Sequence, residues 1–139
     1  FRLLVFNARS IVNKTEKLET LLLSYNPQIC VITETWLHDQ IGDDEVAPPG
    51  YRLYRRDRGS RGGGVAVITK DNIEVTLADQ ICDHESLLLR VSLQGDTFFV
   101  CAVYRPPNAD DLFLSRLYDH LLKFRDKNLI ITGDFNLPS

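Results

Sequence analysis

Apolar positions along the chain follow two kinds of pattern. Residues 1–6 and 29–33 are continuous apolar runs bounded by polar residues, which predicts strands covered on both faces. Between them Leu18, Leu21, Leu22 and Tyr25 recur at i, i+3, i+4 and i+7, the spacing of one helix face. Asn13 with Glu16 predicts the N-terminal cap of that helix, and Pro27 its end. The chain therefore opens as strand, helix, strand.

Its middle reads as β-rich. Residues 51–54, 65–69, 73–77, 87–93 and 97–103 are short β-prone segments separated by Gly, Asp or Asn, and Gln94, Gly95 and Asp96 form the clearest hairpin turn. A second helix is predicted over residues 110–125, with Phe113, Leu117, Leu121 and Phe124 on one face. Asp110 and Asp111 at its start, with Lys123, Arg125 and Lys127 at its end, suit the helix dipole. Residues 129–132 form the last strand. The expected fold class is α/β, with helices covering a sheet that has a large mixed or antiparallel component.

Composition narrows the setting. At 139 residues, 44% of them hydrophobic and 25% charged, the chain suits one globular domain without internal repeats. Its longest apolar runs fall far short of the roughly 20 residues a membrane-spanning helix needs, so no membrane partner is expected. Cys30, Cys82 and Cys101 are odd in number, lack C-x-x-C spacing and sit in or beside apolar stretches. They predict buried thiols and a reducing, intracellular compartment. Phe1 runs straight into a strand, with no methionine in the chain and no signal pattern, so the sequence reads as cut from something longer. A net charge of −3 means that any nucleic-acid contact has to come from a local patch.

The candidate chemistry lies where apolar runs stop. Asn7 follows the first, Glu34 the second, Tyr104 follows Val103, and Asp134 with Asn136 follows Thr132. Ligand sites in α/β sheets gather beyond strand ends, and four such ends suggest one site. Two carboxylates can hold a hard cation while amides and a phenol contact phosphate oxygens, so the set points to phosphoryl chemistry. Each residue also has a plainer reading: Gly133-Asp134 as a turn, Asn7 as a cap, Tyr104 as a core aromatic with a bonded hydroxyl. Glu34 is harder to explain away, because a carboxylate directly after an apolar strand needs a partner, a metal or a raised pKa.

Arg55, Arg56, Arg58 and Arg61 precede Gly62, Gly63 and Gly64. This is either a solvated loop or a phosphate-contacting one, since Arg binds phosphate bidentately and glycines admit close backbone approach. The stretch lacks the P-loop order, which excludes that route to nucleotide binding. His38, His84 and His120 have no zinc-ligand spacing and are read as surface or structural residues. Asp43, Asp44 and Glu45 are read as loop.

The segments Phe6-Asn7-Ala8-Arg9-Ser10, Thr33-Glu34-Thr35-Trp36-Leu37, Arg56-Asp57-Arg58 with Gly62-Gly63-Gly64-Val65-Ala66, Tyr104-Arg105-Pro106-Pro107-Asn108 and Gly133-Asp134-Phe135-Asn136, in this order, resemble the endonuclease/exonuclease/phosphatase superfamily. Within it they are most similar to endonucleases of non-LTR retrotransposons. The resemblance implies a four-layered α/β sandwich. It implies Mg²⁺ or Mn²⁺ as cofactor, Glu34 as metal ligand with Asn7 organising metal and phosphate, and Tyr104 near the phosphate. Asp134 would orient or activate the attacking water, Asn136 would position the phosphate, and Arg55, Arg56, Arg58, Arg61 and Arg105 would contact substrate. DNA would be the substrate, the parent polyprotein would carry a reverse transcriptase, and action in the nucleus follows only through the family.

Two departures qualify the expectation. Arg9 stands where apurinic endonucleases carry an acid, which favours the retrotransposon branch. The chain also stops at Ser139, before the half that in the family supplies an Asp-His pair, so residues 1–139 are expected to be a partial domain with little turnover alone. Missing strands would leave apolar surface and sheet edges unpaired. The alternatives are a small-substrate phosphatase or phosphodiesterase of the same superfamily and a non-catalytic remnant or binding module.

Overall fold

The structure, a computed structural model, describes residues 1–59, 62–79 and 84–136. Arg61 and Cys82 lie outside the described residues. In chain order the elements are β1 (Leu3–Asn7), α1 (Thr15–Tyr25), β2 (Ile29–Thr33), a 3₁₀ turn (Asp43–Glu45), β3 (Tyr51–Arg56), β4 (Val65–Lys70), β5 (Glu74–Asp79), β6 (Glu85–Leu93), β7 (Asp96–Tyr104), α2 (Phe113–Leu121), a second 3₁₀ turn (Leu122–Phe124) and β8 (Leu129–Asp134). They build two four-stranded sheets, ordered β1-β2-β4-β3 and β5-β6-β7-β8. Each sheet holds one parallel pair, β1 with β2 and β7 with β8, and its other pairs are antiparallel.

Strand periodicity decides the layering. Along β2, Ile29 and Val31 face the second sheet while Cys30 and Ile32 face α1. Along β7, Val100, Ala102 and Tyr104 face the first sheet while Cys101 and Val103 meet Phe113, Leu117 and Leu121 of α2. With both faces covered, the strands read as unbroken apolar runs. Leu18 and Leu22 seat α1 on the first sheet. The order is helix, sheet, sheet, helix, the four-layered sandwich that the resemblance implies. His120 of α2 and Lys123 of the 3₁₀ turn after it meet Asp79 of the far strand β5, at 3.0 and 2.9 Å.

Several local expectations are corrected. β1 begins at Leu3 and is only partly buried, with Val5 exposed, so it is not covered on both faces. Asn13 does not cap α1: its φ of +58° is left-handed, and Lys14 occupies the cap position without a side-chain bond. Asn tolerates this conformation, which turns the chain into the helix. The second helix is shorter than predicted because Asp110 closes a turn ahead of it, accepting the Leu112 N–H on its side chain (3.0 Å) and the Phe113 N–H on its carbonyl (3.2 Å). Gly133 is not a turn residue, since β8 continues through it to Asp134. Asp43–Glu45 is a 3₁₀ turn rather than plain loop, and Asp43 pairs with Arg55. The hairpin at Gln94-Gly95 has φ values of +53° and +85°, as a two-residue turn joining right-twisted strands requires.

Two stability-related outcomes follow from this packing. Leu89, fully buried between the sheets, is expected to cost roughly 2–5 kcal/mol in urea unfolding when replaced by alanine. Leu77→Ala, on the exposed part of β5, is expected to stay within about 0.5 kcal/mol of the unsubstituted chain. Burial pushes the Cys30 and Cys101 thiols up to about 12, so their thiolates are scarce in the folded chain at neutral pH. Peptide mapping after maleimide treatment at pH 8 should find both unlabelled, with labelling appearing only in denaturant.

Candidate active site

Asn7 ends β1, and Glu34 follows β2 directly. Because the two strands are parallel with Asn7 opposite Thr33, both side chains emerge at one end of the sheet. Tyr104 and Asp134 end β7 and β8 and stand opposite each other in the second parallel ladder. Stacking of the sheets brings the four ends together. The Asn7 Nδ2 donates to the Glu34 carboxylate and, at 3.0 Å, to Asp134 Oδ2. Asn7 Oδ1 accepts the Arg9 N–H at 3.1 Å, which fixes the direction of the amide.

The backbone that presents these groups is unusual and tightly held. Arg9, Ser10, Glu34, Trp36 and Asn136 all have positive φ, and all lie in the loops around the site. Outside Asn136, since Asn tolerates this region, such conformations cost of order 1–3 kcal/mol each and persist only where surrounding contacts enforce them. Those contacts are on both sides of Glu34. Its N–H donates to the Gly64 carbonyl (2.9 Å), its carbonyl accepts the Ser10 N–H (2.7 Å), and the Trp36 N–H donates to the Gly63 carbonyl (2.8 Å). Gly133 answers a different demand: at φ +138° a Cβ would collide with the Val103 carbonyl, so only glycine lets β8 lie this close to β7 just ahead of Asp134.

Tyr104 is buried, its ring facing between the sheets. Burial raises its phenol pKa above the ordinary value, with Glu34, Glu85 and Asp134 acting in the same direction and Arg58 opposing. The hydroxyl is therefore held in its neutral form. Asn136 donates its backbone N–H to Asp134 Oδ1 (3.1 Å) and its side-chain Nδ2 to the Arg105 carbonyl (2.6 Å), bracing the ends of β8 and β7 together.

The arginines divide. Arg58 stands over Tyr104, with its guanidinium carbon 6.0 Å from the ring centroid, and pairs with Glu85 at 3.3 Å. Arg56 ends β3 opposite Val65. Arg55 is turned into the loop before β3, donating to Asp57, Asp43 and the carbonyls of Ile41 and His38. Arg105 is buried and donates to the carbonyls of Phe135, Asn136 and Ala109, beside the Phe113 ring. The structure thus gathers Asn7, Glu34, Tyr104, Asp134, Asn136 and Arg58, and directs Arg55 and Arg105 to the chain itself. Glu85, which belongs to no motif, joins the cluster by standing opposite Tyr104 on β6.

Glu34 and Asp134, held at one amide nitrogen, offer carboxylate oxygens that fit a hard divalent cation keeping several waters, since Mg²⁺ takes one or two carboxylates and fills its shell from solvent and substrate. Among the described residues no cluster of three or more His, Cys, Asp or Glu side chains could hold a metal, so the donor set suits such a cation and not an all-protein cage. Nor, among those residues, is any helix long and apolar enough to cross a membrane.

A sequence profile of the endonuclease/exonuclease/phosphatase family matches residues 4–139. The chain belongs to this family. It is 32% identical over 107 residues to the RNA-directed DNA polymerase of the mobile element jockey of Drosophila melanogaster, covering 74% of the chain and 11% of that protein. Among solved structures it resembles the endonuclease domain of TRAS1, a telomere-specific non-LTR retrotransposon, with a TM-score of 0.75 and 17% identity over all of the chain and 60% of that domain. It also resembles an AP endonuclease from Archaeoglobus fulgidus, with a TM-score of 0.73 and 22% identity over 99% of the chain and 58% of that one. These likenesses bear out the fold and the affinity to the retrotransposon branch. The chain spans about a tenth of the jockey protein and about three fifths of the solved domains.

Asn7 separates two acids, and its replacement has a signed consequence. Asn7→Asp puts a third carboxylate where a donor stood, so the melting temperature without divalent cations is expected to fall. Added Mg²⁺ should then raise it more in the variant than in the unsubstituted chain. Equal Mg²⁺ responses in thermal melts would remove the shared-donor account of the site.

Proposed function

We propose that this chain supplies one side of the active site of a metal-dependent phosphodiesterase that nicks DNA for a non-LTR mobile element. The observation that carries the reading is the meeting of Glu34, Asn7 and Asp134 at one amide nitrogen, with Tyr104 opposite Asp134 in the neighbouring strand. Residues 1–139 would form the first part of the domain, with the rest supplying the remaining catalytic groups. The kinship with jockey supports a reverse transcriptase in the same polyprotein, and action in the nucleus would follow from such a life cycle.

Glu34 would hold Mg²⁺ or Mn²⁺, which when bound neutralises charge developing on the phosphate, while Asn7, whose Nδ2 faces both acids and whose Oδ1 accepts the Arg9 N–H, would organise the carboxylates and not ligate the ion. Tyr104 stays protonated and donates a hydrogen bond to a non-bridging phosphate oxygen. Each Asp134 oxygen accepts one bond within the protein, from Asn136 N–H and Asn7 Nδ2, and keeps a second lone pair. Asp134 is thereby able to accept a proton of the attacking water and aim its lone pair along the scissile bond. Arg58 supplies positive charge at the phosphate, which matters in a chain of net charge −3. Arg55 and Arg105 would act indirectly, by fixing the loops that carry Asp57 and Asn136.

The test is nicking of supercoiled plasmid by the parent protein extended through the rest of the domain, with Mg²⁺ or EDTA. Relaxed circles are expected with Mg²⁺ only, and Glu34→Ala or Asp134→Asn should lower the rate by at least about a hundredfold. A folded, extended protein that leaves plasmid intact but hydrolyses a small phosphomonoester would replace the DNA reading with the phosphatase one.

A further inference from the structure

Glu85 opens β6 in the second sheet, with its side chain only 15% exposed, yet both of its oxygens bond to groups belonging to the first sheet's loops. Oε1 accepts the Gly64 N–H at 2.5 Å, and Oε2 accepts Arg58 Nε and Nη2 at 3.3 Å each. The Gly64 N–H belongs to the same peptide unit as the Gly63 carbonyl, which accepts the Trp36 N–H, and the Gly64 carbonyl accepts the Glu34 N–H. One peptide plane is therefore gripped from opposite sides, by Glu85 through its N–H and by the turn carrying Glu34 through its carbonyl.

The fit around this plane is close. A Cβ on Gly63 would strike both Arg58 Nε and Glu85 Oε1, and one on Gly64 would lie 2.5 Å from Thr35 Oγ1. Gly63 leaves room for a carboxylate from the other sheet to reach the backbone, and Gly64 for Thr35 to pack against it. Arg58, held by the same carboxylate, stands over the Tyr104 ring, and Tyr104 pairs with Glu85 itself across β6 and β7.

We propose that Glu85 is a positioning residue for the active site: by bridging the two sheets it sets the backbone beneath Glu34 and the guanidinium over Tyr104. Both of its oxygens are engaged by Gly64 and Arg58, so it acts through them. Its carboxylate fixes the left-handed turn, φ +55°, that aims the Glu34 side chain, as groups behind metal ligands commonly do. The metal-related part rests on the proposed function, whereas the grip on the turn does not.

The two parts are measured separately in the 139-residue chain. In Glu85→Ala the Gly64 N–H loses its acceptor, and amide hydrogen exchange at Glu34 and Trp36 should accelerate about tenfold while that of Val67 in mid-β4 is unchanged. Mn²⁺ affinity, read by water-proton relaxation without substrate, should fall about tenfold, within the 10–100-fold range usual for groups behind a metal ligand. Glu85→Gln keeps the shape and one oxygen acceptor, so both readouts should recover to within about twofold of the unsubstituted chain, which a merely destabilised fold would not do. Unchanged exchange at Glu34 and Trp36 in Glu85→Ala, or no recovery in Glu85→Gln, overturns the proposal. If the unsubstituted chain takes up no Mn²⁺, the metal reading fails by itself and the exchange data still decide the role of Glu85.

Discussion

Two parallel strand pairs, one in each sheet, end at the same rim of the sandwich, and the site depends on that coincidence. A parallel pair needs a long crossover. Here α1 links β1 to β2 and α2 links β7 to β8, so the helices that enable the pairing also cover the outer faces of their sheets. The same device used twice places Asn7 beside Glu34 and Tyr104 beside Asp134. Packing the inner faces then sets the two couples against each other, with no further element required.

Much of this was legible in the sequence because burial on both faces leaves unbroken apolar runs. Residues 29–33 and 97–103 could be placed from their apolar runs, and the polar residue that closes each run is one of those the strand ends bring together as a candidate site. What remained illegible depended on contacts made across the sandwich. Nothing local in Arg55 distinguishes it from Arg58, yet one is closed in by the carbonyls of His38 and Ile41 and the other meets Glu85. Asn13 resembles a cap in sequence and serves instead as a left-handed turn. Gly133 looked like a turn because glycine usually marks one, whereas here it is demanded by the nearness of the Val103 carbonyl. Glu85 belongs to no motif, and only the register of β6 against β7 brings it into view.

The concentration of left-handed residues around the site shows where the sandwich stores strain. Glu34 and Trp36 flank the buried Thr35, and the hydrogen bonds that hold them come from two separate loops, one after β1 and one before β4. Neither loop alone would impose the conformation. Precision at the site is thus a property of the assembled sheets, and a substitution in either glycine or in the loop after β1 acts on Glu34 without touching its side chain.

The amide of Asn7 has one more consequence. Two neighbouring carboxylates would ordinarily push their strands apart until a cation arrived, making assembly contingent on metal. A neutral donor already sits between them, so the polypeptide can complete its architecture without a cation. Assembly of the sheets is in this way uncoupled from the arrival of any ion.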